Sequence, residues 1–262
     1  MLTQKERKTF EINGFVVLRK FLNKSTLRSL KVAVDGLRAK APCGDGRWSL
    51  RNCLSLHPAF LDVLMNKTQL TIVVQLLGFN VKLLGSHAVT MQKQTDAGAL
   101  CVDWHRDGGA LLAELPDPLP PLFIKTGLCI SGSPSQDGGE LLIIPGSHHL
   151  NGELAIDSTG LPFGISRILL EPSDMVIFDW RVWHAVAFNK SNAVRRMLYF
   201  TFGFRWLSPF DYQMMPQELF QRSPIHRQLL GGATLLGNIL PTDKDVPMKE
   251  LWKKGGDDHD SR

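Results

Sequence analysis

The chain has 262 residues, of which 44% are hydrophobic and 21% are charged, a composition typical of a globular domain and unlike a disordered or fibrous protein. The formal net charge is +5 and the basic residues are scattered, whereas a nucleic-acid-binding surface needs them clustered on one face among aromatic residues. No apolar run is long enough to cross a bilayer, and the N-terminal residues lack the apolar core of a secretory signal. These features predict a cytoplasmic protein that binds neither nucleic acid nor a membrane.

Apolar residues at helical spacing predict that the first third of the chain is mainly helical, with one early strand. Gly78 is expected to end the last of these helices, because glycine is the preferred residue at a helix stop. The helices are expected over residues 3–12, from a cap at Asn23 or Ser25 through Leu37, from Pro58 through Met65, and over 68–77, and the strand over 15–18.

From residue 80 onward the pattern changes to apolar strands separated by Gly, Pro and Asp turns. Strands are expected over residues 81–92, 100–105, 123–132, 140–144, 166–170, 175–178 and 197–204. A helix-rich part followed by a strand-rich part, without alternating βαβ units, favours an antiparallel double sheet with flanking helices.

The expected organisation is a single domain over residues 1–252 with a polar, flexible tail over 253–262. Within the domain, residues 1–79 are helix-rich, 80–206 form the sheet core and 207–252 are a C-terminal extension. Residues 111–122 contain four prolines and cannot form a regular element, so they are a candidate lid over whatever site lies before them.

The most informative motif is Trp-His-Arg-Asp-Gly-Gly over residues 104–109. His105 and Asp107 are two residues apart, and on a strand that spacing places both side chains on one face. An imidazole and a carboxylate are two of the three protein ligands of a 2-His-1-carboxylate metal site, for which His184 is a candidate third ligand. The pair alone also occurs by chance, as a surface pair without metal. Arg195, a short way beyond His184, adds a cation.

Two further histidines are adjacent in the chain, His148 and His149. Neighbouring residues on a strand point to opposite faces, so both cannot easily serve one metal ion. We expect them to hold a turn or to hydrogen-bond to another ligand rather than to bind metal directly.

Several segments in combination resemble the phytanoyl-CoA dioxygenase family of Fe(II)/2-oxoglutarate-dependent oxygenases. The likeness spans roughly residues 10–206, and its motifs occur in the order of the family. They are Asn-Gly-Phe-Val-Val-Leu-Arg-Lys-Phe-Leu over 13–22, the motif over 104–109, Asp-Gly-Gly-Glu-Leu-Leu-Ile-Ile-Pro-Gly-Ser-His-His over 137–149, Trp183-His184, and Arg195-Arg196.

The resemblance implies a double-stranded β-helix, the jelly-roll or cupin-like fold, with a helical N-terminal third. It also implies that His105, Asp107 and His184 bind Fe(II), and that 2-oxoglutarate and O₂ are co-substrates. Arg195 would bind the far carboxylate of 2-oxoglutarate, since a guanidinium matches a carboxylate with two parallel hydrogen bonds.

Three other positions bear on the expected contacts of 2-oxoglutarate. Arg196 would point to the opposite face of the same strand. Lys93 follows the long strand and is a candidate for the co-substrate pocket, with a solvent-exposed strand end as the alternative. Val186 stands where relatives often carry a serine or threonine that can hydrogen-bond 2-oxoglutarate.

The implied activity is oxidation, with hydroxylation favoured, of an unactivated C–H bond in a small molecule, with release of succinate and CO₂, and natural-product metabolism is one setting for it. Asp107 disfavours halogenation, because in halogenating relatives a small residue replaces this carboxylate. Alternatives are a jelly-roll metal enzyme that does not use 2-oxoglutarate, a relative of the halogenase or desaturase type, and a jelly-roll binding protein without catalysis. The sequence does not identify the substrate or the oligomeric state.

Overall fold

The computed structural model describes residues 1–41, 46–95, 100–109, 114–132, 135–158, 161–210, 222–231 and 246–253. The structure therefore does not describe the predicted tail over 253–262 beyond Lys253, much of the extension over 207–252, or part of the proline-rich segment.

The helices of the N-terminal part begin and end where local signals predict. The Asn23 side chain accepts a hydrogen bond from the Thr26 backbone N–H and caps the second helix, and Pro58 occupies the first turn of the third. Gly78 follows the fourth helix with φ +86°. The helices are α1 (Gln4–Asn13), α2 (Lys24–Arg38), α3 (Pro58–Leu64) and α4 (Lys67–Leu77), followed near the C-terminus by α5 (Pro224–Leu230) and α6 (Lys249–Lys253).

Ten strands are present among the described residues, and eight of them were predicted. The two unpredicted strands are β2 and β9. Strand β2, Arg-Trp-Ser-Leu-Arg, alternates polar and apolar residues, a signal that the sequence reasoning missed, whereas β9, His-Ala-Val-Ala, is short and has no such alternation. The strands are β1 (Phe15–Leu18), β2 (Arg47–Arg51), β3 (Val81–Met91), β4 (Leu100–His105), β5 (Phe123–Ser131), β6 (Leu141–Ile143), β7 (Ser166–Ile168), β8 (Met175–Asp179), β9 (His184–Ala187) and β10 (Arg195–Phe204).

The strands form two sheets with the orders β1-β8-β5-β10-β3-β2 and β4-β9-β6-β7. The pairs β1–β8, β5–β8, β4–β9, β6–β9 and β6–β7 are antiparallel. The predicted fold class, mainly β in a jelly-roll core with flanking helices, is confirmed. Among the described residues of 1–79 there are four helices and two strands, so the expected helix-rich N-terminal third is not clearly shown.

Chain contacts divide the molecule into two compact units. The first comprises Met1–Thr3, Arg51–His87 and Phe200–Arg262, and the second comprises Gln4–Leu50 and Ala88–Tyr199. In the first unit, the buried Gln228 side chain donates to the carbonyls of Phe79 and Val81, which ties α5 to the start of β3. The second unit contains residues of all ten strands.

The second unit encloses an apolar interior to which both sheets contribute. The buried members of the interior are Val89, Met91, Cys129, Leu141, Ile143, Ile168, Leu170, Val176, Phe178, Val182, Met197 and Tyr199.

Among the described residues, no helix is both long enough and apolar enough to cross a membrane.

Candidate metal centre

Strand pairing brings the two candidate histidine ligands together. His105 is the last residue of β4 and lies directly opposite His184, the first residue of β9, with 4.2 Å between their ring centroids. Asp107 lies in the turn after β4, where its backbone N–H donates to the Trp180 carbonyl at 3.1 Å. One ligating atom from each of the three residues lies within 4.8 Å of the others.

Backbone hydrogen bonds fix the orientation of both imidazoles. Nδ1 of His105 is 2.7 Å from the Asp103 carbonyl oxygen, and Nδ1 of His184 is 2.9 Å from that of Val182. A carbonyl oxygen only accepts, so each Nδ1 carries a proton, and in the neutral ring Nε2 then keeps its lone pair. Both rings therefore have the tautomer that a metal bound at Nε2 requires.

The electrostatics of the site also favour metal ligands in their binding forms. Burial lowers the pKa of His184 to about 4, although the Asp107 carboxylate acts in the opposite direction. Burial raises the pKa of Asp107, but Lys125, His184 and His105 outweigh it and lower that pKa to about 2. At neutral pH the histidine is therefore neutral and the carboxylate ionised, as metal ligands must be.

The residues fit a divalent metal ion of the Fe(II) type. Oδ2 of Asp107 is buried and has no hydrogen-bond partner among the described residues, whereas a buried carboxylate oxygen normally has one. Two imidazole nitrogens and one carboxylate oxygen on one side of an ion are the donor set of non-heme Fe(II) oxygenases, which leaves the other positions open.

Arg195 places a positive charge in the same unit without an acidic partner. It is the first residue of β10 and only 6% exposed, and its guanidinium contacts the Tyr199 hydroxyl at 3.2 Å and the Met91 sulfur at 3.6 Å. Within the described ranges no carboxylate pairs with it. Because a buried charge is costly unless it is paired, this arrangement fits an anionic ligand.

Arg196 points the other way, as its neighbouring position on the strand requires. Its Nε lies 2.6 Å from Oδ1 of Asp35 in α2, and its Nη1 donates to the Ser131 hydroxyl at 2.9 Å. The charge of Arg196 is thus already paired, and Arg195 alone of the two has its charge available for a ligand.

Comparison with known proteins assigns the family. The model of the family described as phytanoyl-CoA dioxygenase (PhyH) matches residues 10–197. The chain belongs to the phytanoyl-CoA dioxygenase family. It is therefore an Fe(II)/2-oxoglutarate-dependent oxygenase, with iron and 2-oxoglutarate as the expected cofactor and co-substrate. No curated protein sequence matches this chain.

Solved structures with the same fold include enzymes that bind 2-oxoglutarate. HygX from Streptomyces hygroscopicus, solved with nickel and 2-oxoglutarate, has a TM-score of 0.67 and 16% identity, covering 80% of this chain and 90% of HygX. The epimerase SnoN from nogalamycin biosynthesis has a TM-score of 0.64 and 13% identity, covering 77% and 80%. The carbocyclase SnoK, from the same biosynthesis, has a TM-score of 0.63 and 16% identity, covering 82% and 94%.

The two lysines of interest lie in different surroundings in this oxygenase. Lys93 is exposed, and its Nζ donates to the Asn192 side chain at 3.2 Å, so this placement does not support its predicted role in the co-substrate pocket. Lys125 on β5, which sequence reasoning missed, places its Nζ 2.6 Å from Oδ1 of Asp107. The available signal was a lysine within the otherwise apolar strand pattern of residues 123–131.

Other residues singled out from the sequence make hydrogen bonds or packing contacts away from the three candidate ligands. His148 and His149 lie in a 3₁₀ turn, and both Nε2 atoms are within 3.1 Å of the Glu11 carbonyl, so they hold a turn as predicted. Val186 is half-buried against the apolar interior. In the proline-rich segment, the described part is held to the chain after β8 by hydrogen bonds from Trp180 and Arg181 to the carbonyls of residues 120 and 119.

Proposed function

We propose that this family member hydroxylates an unactivated C–H bond of a small molecule while 2-oxoglutarate is converted to succinate and CO₂. The observation that carries the proposal is the triad of His105, Asp107 and His184 together with a buried arginine that has no acidic partner among the described residues. The triad suits a metal ion, and the Arg195 guanidinium, which contacts Met91 and Tyr199 of the apolar interior, suits the distal carboxylate of a dicarboxylic acid.

In this proposal the chain's residues bind, orient and exclude water. His105, Asp107 and His184 hold Fe(II) through two Nε2 atoms and a carboxylate oxygen, and Arg195 binds the far carboxylate of 2-oxoglutarate. When bound, the iron and 2-oxoglutarate would allow O₂ to act as the oxidant, with one oxygen atom entering the product and the other succinate, a chemistry that no side chain here can provide. Apolar walls that include Met91, Leu141 and Phe178 keep bulk water from the reacting groups.

Asp107 favours hydroxylation over transfer of a halide. A carboxylate in this position takes up the coordination site that a halide ion would need, whereas a small residue would leave it open. Enzymes with similar folds include an epimerase and a carbocyclase, so epimerisation or ring formation would also be compatible with this scaffold.

We propose a small natural product as the substrate class. Support comes from the neighbouring folds, since HygX has been solved with hygromycin B, and SnoN with Fe³⁺, α-ketoglutarate and nogalamycin RO. Both of those ligands are small molecules. At identities of 17% and 12% to this chain, the likeness supports a class of substrate rather than a particular compound.

The first test needs no knowledge of the substrate. Purified protein is mixed anaerobically with Fe(II) and 2-oxoglutarate, and the weak visible charge-transfer band of the chelate is recorded for the wild type and for His105→Ala. We expect a band in the wild type that disappears in the variant. A folded wild-type protein that binds iron but shows no band would contradict the use of 2-oxoglutarate.

The second test addresses the reaction outcome. A panel of small natural products is incubated with the enzyme, Fe(II), 2-oxoglutarate and ¹⁸O₂, and the products are analysed by mass spectrometry. We expect incorporation of one labelled oxygen atom into product with formation of succinate. A chlorinated product in which bromide can replace chloride, or turnover without 2-oxoglutarate, would overturn the proposal.

A further inference from the structure

Lys125 lies at the metal centre although no motif marks it. It is on β5 opposite Phe178 of β8, and its Nζ lies 2.6 Å from Oδ1 of Asp107. The side chains of Lys125 and Asp107 are 18% and 14% exposed, so solvent screens this ion pair less than it would one on the surface.

The ammonium group is also held by two aromatic rings. It lies 5.8 Å from the ring centroid of Phe178 and 5.9 Å from that of Tyr199, within the range of cation–π attraction. Because these contacts do not involve Asp107, they fix the position of the lysine independently of the carboxylate.

The two oxygens of Asp107 consequently differ. Oδ1 accepts the hydrogen bond from Lys125 and lies 4.0 Å from Nε2 of His184, whereas Oδ2 is buried without a partner among the described residues. A carboxylate can bind a metal through one oxygen or through both. An oxygen already engaged by an ammonium group is a poorer metal ligand than its unpaired neighbour.

We propose that Lys125 is a positioning residue that engages Oδ1 of Asp107 so that the carboxylate binds the metal ion through one oxygen only. Binding through one oxygen uses one coordination position, whereas binding through both would occupy a second position that the co-substrate needs. The inference rests on the proposed role of His105, Asp107 and His184 as metal ligands.

The sign of the effect on metal affinity tests this inference. If Lys125 positions the carboxylate, its removal weakens metal binding, because hydrogen-bond partners of metal ligands orient those ligands. If Lys125 only neutralises Asp107, its removal strengthens metal binding, because a cation that repels the metal ion has gone.

The experiment uses Co(II), whose visible spectrum reports coordination number and geometry without turnover. Dissociation constants and spectra are measured for the wild type, Lys125→Met and Lys125→Arg, with Lys190→Met as a matched change of an exposed lysine. We expect Lys125→Met to bind Co(II) about 10- to 100-fold more weakly, with altered bands. Lys125→Arg should recover most of the affinity, because it keeps a cationic donor, and Lys190→Met should match the wild type.

Circular dichroism tests whether each variant is folded. If Lys125→Met does not fold, Lys125→Gln is used in its place. Co(II) binding to Lys125→Met that equals or exceeds wild-type binding, with unchanged bands, would overturn the inference while leaving the metal site intact. A wild-type protein that binds no Co(II), or binds it unchanged in His105→Ala, would overturn the proposed function and this inference with it.

Discussion

The proposed site has a metal end, formed by His105, Asp107 and His184, and an arginine end, formed by Arg195. Their side chains are held by different kinds of contact. At the metal end, backbone carbonyls orient both imidazoles and Lys125 engages one oxygen of Asp107. At the arginine end, the described contacts of the Arg195 guanidinium are a tyrosine hydroxyl and a methionine sulfur. The first arrangement fixes geometry before a ligand arrives, whereas the second leaves a charge to be paired by the ligand itself.

This difference separates the expected roles of geometry and charge. A metal ion needs its ligands at defined positions, so small displacements of the triad should be costly. A carboxylate ligand pairs with a guanidinium through charge-assisted hydrogen bonds, so loss of the guanidinium should affect affinity for that ligand specifically. Variants at each end should therefore change different measured constants.

The largest effect is expected from breaking the metal end. His184→Ala removes a ligand, and we expect metal affinity to fall by more than about 100-fold, since even the loss of a ligand's hydrogen-bond partner costs about 10- to 100-fold. Isothermal titration with Co(II) measures this change. His149→Ala is the matched control, because His149 is exposed and its Nε2 hydrogen-bonds to Glu11. Equal affinities for His184→Ala and the wild type would exclude His184 as a ligand.

The next effect is expected at the arginine end. Arg195→Ala should raise the Kd for 2-oxoglutarate about 10- to 150-fold, the equivalent of one charged hydrogen bond worth about 1.5–3 kcal/mol, with little change in Co(II) affinity. Binding of 2-oxoglutarate to the metal-loaded protein is measured anaerobically. Arg196→Ala, which breaks the ion pair with Asp35, should leave this Kd unchanged. The reverse pattern would assign the carboxylate to Arg196.

A smaller effect is expected at Gly127, which leaves room for the tyrosine that contacts Arg195. A Cβ at this position would lie 2.6 Å from Cε1 of Tyr199 and 3.1 Å from Cγ1 of Val176. Gly127→Ala should therefore lower the free energy of unfolding by about 1–3 kcal/mol, as overpacking of a core does. It should also weaken 2-oxoglutarate binding, because the Tyr199 ring must shift. Chemical denaturation and the same binding assay measure both.

The control for that prediction is Gly36→Ala in the last turn of α2. No atom lies within 4 Å of a Cβ at this position, and alanine is a better helix former than glycine. We expect this variant to be more stable by about 0.5–1 kcal/mol, with unchanged 2-oxoglutarate affinity. Equal stability losses at positions 127 and 36 would show that packing against Tyr199 is not the cause.

Local signals were sufficient for most of the elements and for part of the site. The cap at Asn23, Pro58 in the first turn of α3 and the stop at Gly78 all depend on neighbouring residues, and each lies as predicted. Strand β9 was missed because its four residues derive their stability from pairing with β4 and β6 rather than from a pattern of their own.

Local sequence is enough to give the spacing of His105 and Asp107 and the residue types that suit iron and a dicarboxylate. Three further features follow only from the fold: His184 lies opposite His105, Arg195 rather than Arg196 faces inward, and Lys125 reaches Asp107. The physical reason is that strand register and burial follow from pairing and packing between segments far apart in the chain. Neighbouring residues do not encode these contacts.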